Sequence, residues 1–268
     1  MEEPAPETRR FRLDVAYDGR PFAGWQSQAG GNTIQDLLLA ALQEICAEIA
    51  TVQGSGRTDA GVSASGQVAH FDVPSDWRMG GEEWRKALNT KLPATIRVVA
   101  CRETSPEFHA RFSALGKTYR YGIFPGEVLP PLLAGLSWHR RGIGSADDLA
   151  AILRLYEGTH DFHAFSANRG DGRDETRDTV RTISRVAPEE TAEGELEIRV
   201  SGDGFLYKMV RFLVGTAVYC YEGKISEEEI RGLLRGEDRD QDRDRKAPYC
   251  APPDGLTLEE VHYPPEFE

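Results

Sequence analysis

The most informative stretch of this sequence covers residues 54–71, where the chain is GSGRTDAGVSASGQVAHF. This glycine-rich pattern resembles two phosphate-binding motifs but matches neither of them. A dinucleotide fingerprint needs a third glycine where Asp59 stands, and a carboxylate there would repel a pyrophosphate. A Walker loop needs Lys-Ser/Thr after Gly61, but Val62 follows. The sequence therefore predicts no nucleotide cofactor.

Two interpretations of Asp59 follow from this spacing. The glycines allow a sharp backbone turn that presents Asp59 at the surface of a cleft, with Arg57 beside it to contact a polyanion. Alternatively, Asp59 only caps a local turn, which is the usual role of aspartate in glycine-rich loops. The spacing alone leaves both interpretations open.

The rest of the chain mixes strands and helices without a strict βαβ alternation. Alternating apolar residues predict strands at Phe11–Tyr17, Gln67–Val73, Ile96–Arg102, Lys117–Phe124, Thr179–Ala187, Leu196–Gly202 and Leu256–Tyr263. Helical spacing predicts helices from Asn32 or Thr33 to about Ala50, and at Glu82–Leu92, Ala146–Tyr156, Phe205–Tyr221 and Ser226–Arg235. The polar stretches Asn168–Arg177 and Arg235–Arg245 are predicted loops. This pattern predicts an α+β fold, with helices packed on a largely antiparallel mixed sheet.

Composition sets the broad class of the protein. The 268 residues are 40% hydrophobic and carry a formal net charge of −12, which supports a folded core. Residues 9–125 hold 14 Lys+Arg and 12 Asp+Glu, whereas residues 126–268 hold 18 and 29, so a locally basic surface is not excluded. No apolar run approaches the ~18 residues of a membrane helix, and the N-terminus lacks a signal-peptide pattern. We expect a cytoplasmic protein.

Metal ligation is not predicted. The four cysteines are scattered singly, without a CxxC pair. His160 and His163 have a spacing that a helix could use, but two nitrogens with no sulfur or third imidazole nearby in sequence are weak evidence for a metal site, and a structural role or a contact with a ligand is favoured.

Six ordered motifs between about Phe11 and Tyr263 resemble the TruA family of tRNA pseudouridine synthases. The catalytic motif of that family is similar to residues 57–71. The other matches are residues 17–19 with Phe22, residues 24–26 and Gln28; residues 108–114 and 117–121; residues 158–162 with 164–165; residues 205–206 with 209–211 and 214–216; and residues 251–253 with Gly255, Leu256 and Leu258. One position departs from the family pattern, since Ser63 stands where the family usually has histidine.

The resemblance implies a pseudouridine synthase fold with two similar halves around a cleft. The N-terminal half, residues 9–112, would carry the catalytic Asp loop, and residues 113–268 would complete the cleft. It implies an enzyme that isomerises uridine to pseudouridine in the anticodon stem-loop of tRNA, at positions 38–40. It also implies a homodimer, because tRNA is larger than the cleft of one subunit, and no cofactor, because the reaction involves no redox change.

The resemblance also assigns roles to single residues. Asp59 would be the nucleophile, because a carboxylate can stabilise or attack a glycosidic carbon that gains oxocarbenium character. Arg211 would keep Asp59 ionised and oriented, although from pattern alone a side chain that reaches to solvent is an equal alternative. Tyr119 would stack on the flipped uracil, and Arg57 would enter the RNA. Apolar packing in the pocket would come from Leu256 or Leu258.

Two other functions remain as alternatives at this point. A non-catalytic RNA-binding relative could retain the same fold, but the presence of Asp59, Tyr119 and Arg211 argues against it. A sugar-active hydrolase would need a second carboxylate, and no comparable loop supplies one.

Overall fold

The computed structural model describes residues 7–168, 170, 178–236 and 246–267. The chain divides into two compact units, Met1–Leu115 with Thr257–Glu268, and Gly116–Leu256. The sequence predicts two halves that divide between residues 112 and 113, and this division stays a prediction. The two predicted polar loops fall almost entirely outside the described residues.

The secondary structure follows the predicted order, with short additional strands. The first unit contains β1 (Thr8–Tyr17), α1 (Ile34–Gln43), β2 (Gln53–Gly54), β3 (Ser63–Pro74), α2 (Gly81–Lys91) and β4 (Ile96–Thr104). The second contains β5 (Gly116–Phe124), β6 (Trp138–His139), α3 (Ala146–Leu153), β7 (Gly158–Asp161), β8 (Val180–Glu190), β9 (Leu196–Gly202), α4 (Met209–Tyr221) and α5 (Glu227–Arg235). Strand β10 (Leu256–His262) ends the series.

The first unit is a mainly antiparallel sheet covered by helices. Its strands follow the order β4-β1-β3-β10, with β2 added to β3. Strand β1 is antiparallel to both β3 and β4, and β10 is parallel to β3. Apolar residues on one face of β1 are fully buried, and Phe11 stacks on Phe71 at 5.6 Å between ring centroids. The Trp84 ring of α2 packs edge-on against the Phe71 ring, with centroids 5.1 Å apart, so the helix packs on this face of the sheet.

The strands of the second unit are also mainly antiparallel and covered by helices. Its strands follow the order β5-β9-β8-β7, in which every neighbouring pair is antiparallel, and β6 adds to β5 in parallel. Helix α3 packs against α4 and β8. Most of α4 is buried, from Met209 to Val218, because apolar residues occur all round the helix. The mainly antiparallel pairing of strands, with helices packed on the sheet, confirms the predicted α+β class.

Three predicted helices differ from the structure at one end. Helix α3 ends at Leu153 instead of Tyr156, and the 3-10 turn Arg154–Tyr156 follows it. Helix α1 ends at Gln43 instead of about Ala50, because the amides of Ile45 and Cys46 both bond to the carbonyl of Leu42 and close the helix. Helix α4 begins at Met209 instead of Phe205, because Lys208 has a left-handed backbone with φ of 61°. The short strands β2, β6 and β7 were not predicted, since two to four residues carry no readable periodicity.

Among the helices of the described residues, none is long and apolar enough to cross a bilayer.

Candidate active site

Asp59 lies in the turn that connects β2 to β3 in the first unit. The amide of Val62 donates to the carbonyl of Asp59 at 3.1 Å, which closes the turn. Gly61 inside it has a φ of +81°, a conformation that residues with a side chain rarely adopt. Its amide donates to the carbonyl of Phe22 at 3.4 Å. The Asp59 side chain is half-buried in the sharp turn that the glycine spacing predicted.

Hydrogen bonds among buried side chains stabilise the backbone of this turn. The hydroxyls of Tyr17 and Thr58 are 2.8 Å apart. The Gln67 amide group donates to the carbonyl of Gly56 at 3.2 Å and to the Tyr17 hydroxyl at 3.4 Å, and it accepts from the hydroxyl of Ser55 at 2.7 Å. Burial raises the pKa of Tyr17 to about 12, so its hydroxyl stays neutral. The network therefore fixes the backbone on the N-terminal side of Asp59 without a charged group.

The N-terminal motif packs directly against the same turn. The Trp25 amide donates to the carbonyl of Thr58 at 3.1 Å. A Cβ at Gly24, whose φ is +96°, would lie 2.7 Å from the Thr58 carbonyl oxygen. A Cβ at Gly19 would lie 2.0 Å from the carbonyl oxygen of Val62. Both positions require glycine, because only a residue without a side chain allows the backbones to approach this closely.

Two more residues border the turn. The exposed Arg57 donates from Nε to the side-chain oxygen of Gln26 at 3.0 Å, and no described carboxylate lies within salt-bridge distance of it. Its charge is thus available to an anion. The hydroxyl of Ser63 accepts from the Gly19 amide at 3.0 Å. The serine that departs from the family pattern therefore ties the β1–α1 connection to the start of β3.

Tyr119 and Phe205 pack together in the second unit. Tyr119 lies on β5 opposite Val200 of β9, and its side chain is buried. The Phe205 ring meets the Tyr119 ring edge-to-face, with centroids 5.0 Å apart and an interplanar angle of 78°. This geometry fixes the plane of the Tyr119 ring through apolar contact.

Arg211 lies in the first turn of α4 and is bound to a neighbouring segment. Its Nε donates to the carbonyl of Ala251 at 2.7 Å, and the Ala251 amide donates back to the Arg211 carbonyl at 3.0 Å. One turn later, a Cβ at Gly215 would lie 2.4 Å from the carbonyl oxygen of Tyr249, so this segment runs tightly against the helix. Burial raises the pKa of Tyr121, and the positive charge of Arg211 opposes that rise.

The two predicted pocket leucines are both buried. Leu256 is the last residue of the second unit and is 6% exposed. Leu258 is 0% exposed and pairs with Ala64 of β3. Leu258 offers no surface to a ligand in this state, and its burial is sufficient to explain an apolar residue there. A contact of either leucine with substrate stays a prediction.

The six predicted site residues are divided equally between the two units. Asp59, Arg57 and Leu258 belong to the first, and Tyr119, Arg211 and Leu256 to the second. That Asp59, Tyr119 and Arg211 act together stays a prediction.

Sequence reasoning missed the residues that hold the Asp59 turn, above all Gln67 and Tyr17. Both occupy positions in predicted strands. Tyr17 continues the apolar face of its strand, which indicates packing and not a hydrogen bond, and a polar residue such as Gln67 is ordinarily assigned to the solvent face. The one signal was Gln67 itself, an amide at the start of a run of apolar residues, but its partners lie far apart in sequence.

The two histidines with helical spacing make separate contacts. His160 bonds through Nε2 to the carbonyl of Glu157 at 2.9 Å, and Nε2 of His163 lies 3.5 Å from Nζ of Lys246. Within the described part of the chain, no group of three or more His, Cys, Asp or Glu side chains is arranged to hold a metal ion.

Comparison with known proteins identifies the family. A family model described as tRNA pseudouridine synthase matches residues 15–113 and 152–264, and these segments include Asp59 and Arg211 but not Tyr119. The chain belongs to the tRNA pseudouridine synthase family. The matched segments together make up most of the chain.

Curated relatives extend this match to nearly full length. The "tRNA pseudouridine synthase A" of Akkermansia muciniphila is 48% identical over 96% of this chain and 96% of its own. The protein of the same name from Solidesulfovibrio magneticus is 43% identical over 95% of this chain and 91% of its own, and that from Ruminiclostridium cellulolyticum is 38% identical over 95% and 100%.

Proposed function

We propose that this protein is an isomerase that converts uridine in tRNA to pseudouridine. The membership in the tRNA pseudouridine synthase family carries this proposal, together with an aspartate held in a rigid turn. The bond between uracil N1 and ribose C1′ breaks, the base rotates, and a bond between C5 and C1′ forms. The proton on C5 leaves to solvent and N1 gains one, so no atom is lost and no electron acceptor takes part.

In this proposal Asp59 is the nucleophile that acts on the target nucleotide. A carboxylate is suited to this role because it can stabilise positive charge at C1′ or add covalently. Arg211 keeps the carboxylate ionised and oriented, as a neighbouring cation does. Tyr119 stacks on the flipped uracil and takes part in proton transfer at C5, and Arg57 enters the RNA where the base has left. Apolar packing against the base comes from Leu256 or Leu258, and the greater exposure of Leu256 favours it for this contact.

The finer proposal concerns where and in what form the enzyme acts. We place the target uridines at positions 38–40 of the anticodon stem-loop, and the protein in the cytoplasm as a homodimer. A dimer gives a substrate as large as tRNA more surface than one subunit offers. Mapping of pseudouridine in tRNA treated with the protein tests the positions, and sedimentation of the free protein tests the dimer.

Release of tritium from RNA labelled at uracil C5 tests the activity directly. The wild-type protein should release the label from tRNA, and the Asp59→Ala variant should release none while it still binds tRNA. Binding by the wild type without release would instead support an RNA-binding protein without activity.

A further inference from the structure

The loop between β4 and β5 presents a large aromatic side chain to solvent. Phe112 is 76% exposed, and Leu115 nearby is 62% exposed. Single exposed apolar residues are common, but a phenylalanine ring left this open makes a flat face available to a ligand.

The backbone of this loop is held rigidly. His109 accepts through Nδ1 from the amides of Arg111 at 3.1 Å and Phe112 at 3.3 Å. The hydroxyl of Ser113 accepts from the His109 amide at 3.0 Å, and the Ser113 amide donates to the His109 carbonyl at 2.9 Å. The His109 ring lies against the Phe112 ring with centroids 4.3 Å apart. Phe112 therefore has a fixed position although it is exposed.

A second histidine supports the loop from the sheet. His70 of β3 accepts through Nδ1 from the Ala110 amide at 3.2 Å, and its ring lies 4.6 Å from that of His109. Burial lowers the pKa of both histidines, with the positive charge of Arg10 acting in the same direction. Both rings therefore stay neutral and can accept these bonds.

Arg111 adds an uncompensated positive charge beside the ring. Its guanidinium carbon lies 5.6 Å from the centroid of Phe112, within cation–π range. Arg111 is exposed, and no carboxylate of the described residues lies within salt-bridge distance of it. By contrast, Arg10 pairs with Asp72 at 2.7 Å and Arg12 with Asp14 at 2.9 Å. These two structural arginines of the unit are neutralised, and the one beside Phe112 is not.

We infer that Phe112 and Arg111 form a second RNA-binding site, at which a nucleobase stacks on the ring and Arg111 binds an adjacent phosphate. Nucleic acid offers both groups next to each other, since every base has a π-face and every nucleotide a phosphate. A protein partner would need an acidic side chain placed to pair with Arg111. The exposed apolar area around Phe112 is too small to bind a protein by itself. This inference rests on the proposed function, because it assigns a further contact to the same tRNA.

The site is separate from the Asp59 turn. The Ala110 amide bonds to His70, which lies seven residues beyond Ser63 along β3. At about 3.3 Å per residue this places the loop roughly 23 Å along the strand from the turn. A base bound at Phe112 is therefore not the uridine that reacts at Asp59. The second site contributes to tRNA affinity and leaves the chemical step unchanged.

Equilibrium tRNA binding of three variants tests the site without requiring turnover. Phe112→Leu keeps an apolar side chain but loses the ring, and should raise the Kd about 5- to 50-fold. Phe112→Trp keeps a ring and should remain within about twofold of wild type. Val99→Ala, which truncates another exposed apolar residue of the same unit, is the matched control and should not change the Kd. The melting temperature of all three should match that of wild type, because the altered side chains are exposed.

The charge is tested by salt dependence. Arg111→Gln should reduce the slope of log Kd against log salt by about 1, as expected for one lost phosphate contact. Arg85→Gln is the control, because Glu82 already pairs with Arg85 at 2.6 Å, and it should change the slope less.

Three outcomes distinguish an RNA site at Phe112 from a contact between protein chains and from the chemistry at Asp59. An unchanged Kd for Phe112→Leu would overturn the inference, even if tritium release proves the enzyme active. Equal loss in Phe112→Leu and Phe112→Trp, with a changed sedimentation coefficient of the free protein, would identify the patch as a contact between copies of the chain and would also overturn it. A protein that releases no tritium but shows the predicted order of Kd values would refute the proposed function and leave this site standing.

Discussion

The Asp59 turn and the region of Tyr119 and Arg211 are held by different kinds of contact. Neutral buried hydrogen bonds and close glycine contacts position the turn. Tyr119 lies on a strand, where its ring packs on Phe205, and Arg211 lies on a helix and bonds to the backbone carbonyl of Ala251. The difference shows that a reactive group on a loop needs many supporting contacts, whereas a strand or helix already supplies a rigid backbone.

Among the variants that test this contrast, the largest effect is expected for Tyr119→Phe, which removes one hydroxyl from the second region. The ring contact with Phe205 is retained, so tRNA binding should stay nearly normal. Loss of a proton-transfer group should lower kcat about 10²- to 10⁴-fold. Steady-state tritium release measures kcat and KM separately. Turnover equal to that of wild type would remove Tyr119 from the chemistry and leave it a packing residue.

Gln67→Leu should have the next largest effect, because it breaks the hydrogen bonds that support the Asp59 turn without replacing any reactive group. Its partners Ser55 and Gly56 lose their bonds, and a misplacement of about 1 Å at the carboxylate can cost roughly 10²-fold in kcat. The KM for tRNA should change little, since Gln67 is buried and does not face solvent.

The matched control for Gln67→Leu is Thr118→Val in the second unit. It breaks the partly buried hydroxyl pair that Thr118, the neighbour of Tyr119 in sequence, forms with Ser201 at 2.8 Å. If regular structure positions Tyr119, kcat should stay within about threefold of wild type, since the strand backbone is unchanged. Equal losses of kcat in the two variants would show that the contrast between the regions is wrong.

The smallest effect is a pH dependence of stability from His70 in the first unit. Burial lowers its pKa from 6.5 to about 4, so between these values the unfolded chain binds more protons than the folded one. Its contribution to stability is complete above pH 6.5 and is lost as the pH falls towards 4, by about 2 kcal/mol at pH 5.

Urea unfolding at pH 7.5 and pH 5 compares wild type with His70→Asn. Asparagine keeps an acceptor for the Ala110 amide but does not titrate, so the variant should lose about 2 kcal/mol less between the two pH values. An identical loss in both proteins would mean that His70 titrates normally in the folded state.

Periodic elements were predictable from the sequence, and their ends were less so. The apolar stripe and Thr33 predicted α1 and its start, and Thr33 accepts from the Asp36 amide as an N-cap does. The end of α1 and the start of α4 depend on backbone bonds around Leu42 and on the conformation of Lys208, which no periodicity reports. The glycine spacing predicted a sharp turn at Asp59, but not which side chains form the hydrogen bonds that stabilise it.

The sequence alone determined the α+β class, the family and the identity of the candidate reactive groups, because periodicity and motifs are properties of residues in order. The tertiary structure decided which glycines are obligatory, that Gln67 and Tyr17 support the Asp59 turn, and that no carboxylate among the described residues pairs with Arg111. These facts depend on distances between segments far apart in the chain, such as Gly19 and Val62. Hydrogen bonds, steric contact and charge neutralisation act through such distances, and only folding sets them.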